Sequence, residues 1–186
     1  MKFILHGGID QNKPALPQLK DFFREMTKGF EKPKILLVFF AGEPERYPDM
    51  LKEAKEFFKL SIPEKEAVLE VATMDKFNKQ VQEADIINVT GGSTLWLVRE
   101  IQKIPDFMKT IQGRVYAGSS AGMNVLAKYY YSDTYDSVNP GAGFLPIKTF
   151  PHWIQDRQNK LDELKNTGED LPVYKLSEGE FITLEF

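Results

Sequence analysis

The run Gly118-Ser119-Ser120-Ala121-Gly122 places two adjacent serines between a predicted strand, RVYAG, and a predicted helix, AGMNVLAKYYY. It matches the pattern G-x-S-x-G, in which the central serine sits on a sharp strand-to-helix turn with its hydroxyl exposed at the end of a sheet. The flanking glycines leave room for the reversal because they carry no Cβ. This frame is centred on Ser120, which is therefore the candidate nucleophile. A tight turn with a helix-capping serine is the alternative.

A serine hydroxyl becomes a good nucleophile when a neighbouring base accepts its proton. The chain has two histidines, and each comes at the end of a predicted strand. His152 lies in FPHWIQD, after the strand-like GFLPIKTF, whereas His6 ends the strand that opens the chain. Either could be a surface or capping residue. With Ser120 as nucleophile, we expect His152 to be the base and His6 to have a structural role.

A carboxylate is also needed to orient the imidazole and stabilise its cation. The polar stretch YYYSDTYDSV offers Asp133 and Asp136, which follow the predicted nucleophile helix. The chain order serine, aspartate, histidine is one that esterase-type triads use. At least one of the two aspartates must instead be a solvated turn residue.

A second glycine turn, TGGST, spans Thr90 to Thr94 at the start of the predicted helix STLWLVREIQKI. Gly91 and Gly92 allow backbone N–H groups to approach a substrate closely, and together with the N–H of Ala121 they could hold an oxyanion. A phosphate cradle is the alternative. The dinucleotide pattern G-x-G-x-x-G is absent and no Walker lysine follows, so a cofactor is not expected.

Short apolar runs alternate with amphipathic runs along the chain, which predicts a mostly parallel α/β sheet with helices on both faces. Such sheets bind ligands beyond the carboxyl ends of their strands, where both glycine turns lie. Predicted strands are MKFIL, KILLVFFAG, AVLEVATM, DIINVTGG, RVYAG and GFLPIKTF. The C-terminal PVYKL and EFITLEF are predicted to pair as a hairpin around Glu178 and Gly179.

Composition limits the remaining possibilities. The 186 residues fit one domain, and the chain contains no cysteine, which excludes disulfides and a cysteine nucleophile. Two histidines make a catalytic zinc site hard to assemble, and a net charge of −3 without a basic stripe argues against nucleic-acid binding. No apolar run is long enough for a membrane span or a signal peptide. The expected protein is cytoplasmic, without a metal or cofactor, and a monomer or homodimer.

Three segments in one order, NVTGGSTLWLV, YAGSSAGMNVL and FLPIKTFPHW, resemble the dipeptidase E and cyanophycinase family of serine peptidases. The resemblance covers most of the chain and implies a flavodoxin-like, three-layer α/β/α fold. It also implies Ser120 as nucleophile, His152 as base, and Gly92 and Ala121 as oxyanion donors with Gly91 beside them. In the run Ser132-Asp133-Thr134, the aspartate is the nearer counterpart of the family's acidic residue, and Asp136 is the second choice.

The aspartyl dipeptidases of that family carry a Gly-Glu-Thr-Arg stretch after the histidine, and this chain reads HWIQDRQNKLDEL instead. Arg157 is the residue there that could meet a substrate carboxylate. The resemblance thus implies a serine peptidase for small peptides, without a predicted preference for Asp-X. A non-catalytic ligand-binding module and an esterase or amidase remain alternatives. A glutamine amidotransferase-like domain is disfavoured because such domains normally use cysteine.

Overall fold

The computed structural model describes residues 1–186 and contains ten strands and seven helices. The strands are β1 Lys2–His6, β2 Lys34–Val38, β3 Val68–Val71, β4 Ile86–Val89, β5 Val115–Ser119, β6 Tyr129–Ser132, β7 Ser137–Pro140, β8 Lys148–Phe150, β9 Val173–Lys175 and β10 Phe181–Glu185. The helices are α1 Ala15–Met26, α2 Tyr47–Ser61, α3 Phe77–Glu83, α4 Thr94–Ile101, α5 Phe107–Thr110, α6 Ala121–Asn124 and α7 Gln158–Asn166.

Six strands form the main sheet in the order β10-β1-β5-β4-β2-β3. All neighbouring pairs are parallel except β1 with β10, which is antiparallel. The central strands are buried on both faces, as their continuous apolar runs predict. Because the parallel strands end at one edge, the turns after β1, β2, β4 and β5 meet there.

Alternate strand residues face two separate cores. On one face, α1 and α2 cover the sheet, with Phe22 and Phe58 among the buried helix residues. On the other face, α3 to α6 supply residues that include Phe77, Leu97 and Phe107. The sheet is therefore the middle layer of an α/β/α arrangement, which confirms the predicted fold class.

A second sheet, in the order β7-β6-β8-β9, lies beyond the nucleophile turn and packs against α7. This sheet corrects two expectations. The aromatic run Tyr129-Tyr130-Tyr131 belongs to strand β6, because α6 ends at Asn124. The two C-terminal strands form, but they do not pair as a hairpin: β9 joins the second sheet beside β8, and β10 joins the main sheet beside β1.

None of the helices combines the length and the apolar character that crossing a membrane would require.

Candidate active site

Ser120 lies between β5 and α6 in a backbone conformation that residues other than glycine rarely adopt, with φ 50° and ψ −104°. The glycines on either side are required by close contacts. A Cβ at Gly118 would lie 2.3 Å from the carbonyl oxygen of Gly122, and a Cβ at Gly122 would lie 2.3 Å from the carbonyl oxygen of Val89. A non-glycine residue with positive φ is strained, and the surrounding packing must hold it there. The turn therefore presents the Ser120 hydroxyl at the carboxyl edge of the sheet.

His152 lies directly beside that hydroxyl. Its Nε2 is 3.0 Å from Ser120 Oγ, within hydrogen-bonding distance. The imidazole is delivered by the turn after β8, where His152 itself has φ 53° and its backbone N–H donates to the carbonyl oxygen of Gly7 at 2.8 Å. Ser120 and His152 follow strands that are far apart in sequence, and both have a positive φ. Their side chains are in contact.

The carboxylate that contacts the imidazole is Glu178, a residue that the sequence pattern placed only in a C-terminal turn. His152 Nδ1 lies 3.1 Å from Glu178 Oε1, so Nδ1–H donates to the carboxylate and leaves Nε2 free to accept from the Ser120 hydroxyl. Glu178 comes shortly after β9, and the N–H of the next residue, Gly179, donates to the carbonyl oxygen of Gly8 at 2.9 Å. A hydroxyl, an imidazole and a carboxylate in this order can transfer a proton away from the serine.

Asp133 and Asp136 do not contact His152, which corrects the expectation that one of them orients the imidazole. Asp133 forms an ion pair with Arg157, and Asp136 accepts hydrogen bonds from the Tyr131 hydroxyl and, at 3.0 Å, from Lys160 Nζ. The Tyr131 hydroxyl and the Lys160 ammonium lower the pKa of Asp136 below its usual value. These contacts attach the β6–β7 hairpin to the start of α7.

The predicted role of Arg157 toward a substrate carboxylate is also not supported by its surroundings. Its guanidinium is paired with Asp133, and Arg157 is not among the residues that line the cleft. A paired guanidinium has less capacity to bind a second carboxylate.

Ser119 and His6 form a separate, partly buried contact. His6 Nδ1 lies 3.0 Å from Ser119 Oγ and accepts the N–H of Gly8 at 3.1 Å, while Nε2–H donates to the carbonyl oxygen of Gln18 at 3.0 Å. Burial lowers the pKa of His6 from 6.5 to about 4, so the ring is neutral at pH 7. The neutral ring of His6, the last residue of β1, therefore has both nitrogens hydrogen-bonded within the protein.

The glycine turn after β4 lies against the nucleophile. A Cβ at Gly91 would lie 4.0 Å from Ser120 Oγ, and the backbone N–H groups of Gly91 and Gly92 make no hydrogen bond within the protein. Gly92 has φ 139°, and a Cβ there would come within 2.5 Å of the carbonyl oxygen of Ala41. Ala121 is the first residue of α6, where N–H groups lack an intrahelical acceptor. These donors can face an oxyanion formed at Ser120.

The two glycines after His6 join the parts of the site. Gly7 N–H donates to the carbonyl oxygen of Glu180 at 2.9 Å, while the carbonyl groups of Gly7 and Gly8 receive the bonds from the loops that carry His152 and Glu178. A Cβ at Gly8 would lie 2.2 Å from the His152 ring. This role of Gly7 and Gly8 was not predicted, although two consecutive glycines after a strand are a signal of close backbone approach.

Ser120, His152 and Glu178 open into one cleft of about 1160 Å³ at the carboxyl edge of the main sheet. Gly91 and Gly92 line the same cleft. No three His, Asp or Glu side chains are grouped so that they could hold a metal ion.

An α/β/α sheet that carries a serine on a strained turn, with a histidine 3.0 Å from its hydroxyl, has the architecture of an α/β serine hydrolase. The comparison with known proteins specifies the class further. Residues 3–185 match the family model described as Peptidase family S51. The chain belongs to this family and is a serine peptidase.

The chain is also similar to individual proteins, in sequence to one and in fold to two others. The chain is 26% identical over 199 aligned positions to Peptidase E of Pasteurella multocida (strain Pm70), a match that covers 95% of this chain and 82% of the relative. Its fold is similar to that of a candidate peptidase E from Listeria monocytogenes EGD-e, with a TM-score of 0.68, 16% identity, and coverage of 100% and 98% of the two chains. A peptidase from an acI-B1 actinobacterium gives a TM-score of 0.65 at 19% identity, over 98% of this chain and 82% of that one.

Proposed function

We propose that the protein hydrolyses small peptides through a Ser120–His152–Glu178 triad. The observation that carries the proposal is the continuous contact from Ser120 Oγ to His152 Nε2 at 3.0 Å and from His152 Nδ1 to Glu178 Oε1 at 3.1 Å. Membership of family S51 and the similarity to a Peptidase E support small peptides, such as dipeptides, as the substrates.

In the first half of the reaction, Ser120 Oγ attacks the scissile carbonyl carbon while His152 Nε2 takes the hydroxyl proton. The carbonyl electrons move onto the oxygen, and the N–H groups of Gly92 and Ala121 donate to the resulting oxyanion. The Glu178 carboxylate stabilises the imidazolium. The C–N bond then breaks, and the leaving amine receives the proton from Nε2.

In the second half, water attacks the acyl-enzyme at the same carbonyl carbon. His152 Nε2 accepts a proton from that water, and the oxyanion again lies against the same two N–H groups. Collapse of the intermediate breaks the bond to Ser120 Oγ, which recovers its proton from the imidazolium. The products are a free carboxylate and the regenerated hydroxyl, so no metal or cofactor takes part.

Labelling with a fluorophosphonate probe at neutral pH tests this proposal, because the probe reacts with activated serines. We expect an adduct on Ser120 in the wild type, with the site located by digestion and mass measurement. Ser119→Ala is the matched control, since Ser119 bonds to His6 and not to His152. The adduct should persist in Ser119→Ala, disappear in Ser120→Ala and fall sharply in His152→Ala. A folded wild type that takes no label would contradict a catalytic role and favour a ligand-binding function.

A further inference from the structure

The cleft extends from Ser120 into an apolar groove between α1 and α2. The groove belongs to the same continuous cavity of about 1160 Å³ that contains the nucleophile. Its walls are mostly aromatic and aliphatic side chains: Leu19, Phe22, Phe39, Met50, Ala54 and Phe57. None of these side chains has a role in the triad or in the oxyanion donors.

The spacing of residues on α2 builds one wall of the groove. Met50, Ala54 and Phe57 follow each other at intervals of four and three, so they share one face of the helix. They are half-buried, whereas their neighbours on the opposite face, such as Lys52 and Lys55, are exposed. From Met50 to Phe57 the helix rises by about 10 Å, which is enough for the full length of a large apolar side chain.

The groove has a mouth and an inner end. Both helices begin at the carboxyl edge of the sheet, next to the turns that surround Ser120, so the mouth lies at the catalytic edge. In the second halves of the helices, Phe23 of α1 and Phe58 of α2 stack with ring centroids 4.2 Å apart. This pair joins the helices at the inner end of the groove, and both rings line the cavity.

Ala54 leaves space in the middle of the groove. It lies between Met50 and Phe57 on the α2 wall, and Met50 Sδ would lie 3.7 Å from a Cβ at Gly42, in the loop after β2. Met50 and Phe57 pack against the core on this face of the sheet, and Ala54 between them contributes only a methyl group. A larger side chain at position 54 would occupy part of the cavity that Ala54 lines.

The charged residues around the cleft do not favour an acidic ligand at this position. Five carboxylate side chains line the cleft, and Arg46 supplies its one guanidinium; the carboxylates are those of Asp10, Glu43, Glu53, Asp133 and Glu178. Placing a carboxylate among apolar side chains is costly unless a cation pairs with it. An uncharged apolar group has no such cost.

We propose that this groove binds the apolar side chain of the substrate residue next to the scissile bond, and that Ala54 determines how large that side chain can be. The proposal rests on the proposed function, because it places the substrate by reference to Ser120. It assigns the substrate class as small peptides with a bulky apolar residue, such as leucine, methionine or phenylalanine, at the scissile bond.

Straight-chain alkylboronic acids test the proposal on the wild-type protein, because boron binds the serine oxygen and the alkyl chain is free to enter the groove. Inhibition constants are measured for the ethyl, butyl and hexyl compounds, with 3-boronopropanoic acid as a charged compound of similar size to the butyl one. We expect affinity to increase by about 2- to 4-fold per methylene. The butyl compound should bind about 10-fold more tightly than its carboxylate counterpart, because the groove offers the carboxylate no deep cation.

Two variants of α2 form a matched pair for the same series. Ala54→Phe fills the groove and should remove most of the dependence on chain length. Lys55→Phe adds the same ring on the exposed face and should leave that dependence as in the wild type. Circular dichroism and thermal unfolding verify that both variants are folded, and the wild-type series alone still decides the question if Ala54→Phe is not.

Equal affinity for all chain lengths in the wild type, or tighter binding of the carboxylate compound, would overturn the apolar subsite. If Ser120 is labelled by the fluorophosphonate in such a protein, the serine peptidase proposal stands and only the subsite is wrong. If neither the probe nor any boronic acid reacts with Ser120, both proposals fail together.

Discussion

Replacing Glu178 by glutamine separates its role from those of the two aspartates that the sequence favours. The change keeps the size of the side chain and removes its charge, so the His152 imidazolium that forms during the reaction loses its stabilising partner. At 3.1 Å, opposite charges attract by about 5 kcal/mol at an effective dielectric constant of about 20. Because the two side chains are 27% and 35% exposed, we expect about 3 kcal/mol to remain after solvent screening.

A loss of about 3 kcal/mol in the transition state corresponds to a fall in kcat of about 100-fold. The amide also interferes with the tautomer that directs Nε2 toward Ser120, so the total effect should lie between about 10² and 10⁴. Steady-state kinetics on a hydrolysed dipeptide measure kcat for Glu178→Gln, Asp133→Asn and Asp136→Asn. The two aspartate variants should retain kcat within about 5-fold, since their carboxylates bond to Arg157, Tyr131 and Lys160. Near-normal turnover in Glu178→Gln, or a collapse of kcat in Asp133→Asn alone, would refute the assignment.

Two further predictions concern β1 and the loop after it. The pKa of His6 is lowered to about 4 in the folded protein, so protonation of this imidazole favours the unfolded chain. The contribution of the neutral imidazole to the free energy of unfolding is therefore complete above pH 6.5 and is lost as the pH falls toward 4. Urea unfolding across this range should show about 3 kcal/mol less stability at the acidic end, and His6→Gln should lack that part of the slope. An equally steep slope in the variant would assign it to other groups. Gly8→Ala places a Cβ 2.2 Å from the His152 ring and should lower kcat/KM by at least about 100-fold. Gly29→Ala is the control, because Gly29 also has a positive φ but a Cβ there has no neighbouring atom within 4 Å. This control variant should lose stability and keep its activity. Equal activity in the two alanine variants would show that the imidazole can move without consequence.

The sequence predicted those parts of the site that depend on local pattern. The G-x-S-x-G turn can be recognised because its pattern lies within five consecutive residues, and the clashes at Gly118 and Gly122 explain why glycine stands at both positions. His152 was predicted because a strand and a proline precede it and His6 is the one other histidine of the chain. The alternation of strands and helices similarly predicted the main sheet, since buried parallel strands consist of continuous apolar runs.

Glu178 could not be predicted in this way, because its position depends on which sheet β9 joins. The short apolar runs of β9 and β10 around a Glu-Gly turn are typical of a hairpin. In the structure β9 instead pairs in parallel with β8, so the ends of these two strands come together, one carrying His152 and the other Glu178. Pairing between strands far apart in sequence leaves no signal in the periodicity of either strand. Asp133 and Asp136 follow the nucleophile in the expected order, but their cationic partners on the start of α7 decide their role.

The loop Gly7-Gly8 explains how residues from two sheets are held within about 3 Å of each other. It accepts backbone hydrogen bonds from His152 and Gly179, and it donates one to Glu180, so both loops of the second sheet are attached to the end of β1. Strand β1 pairs with β5, which carries Ser120, and the N–H of Ser120 donates to the carbonyl oxygen of His6 at 2.9 Å. The geometry of the triad is therefore fixed by the backbone of β1, not by the side chains that would do the chemistry. Since Ser120 and His152 both have positive φ, this support must also offset the strain of two unfavourable conformations.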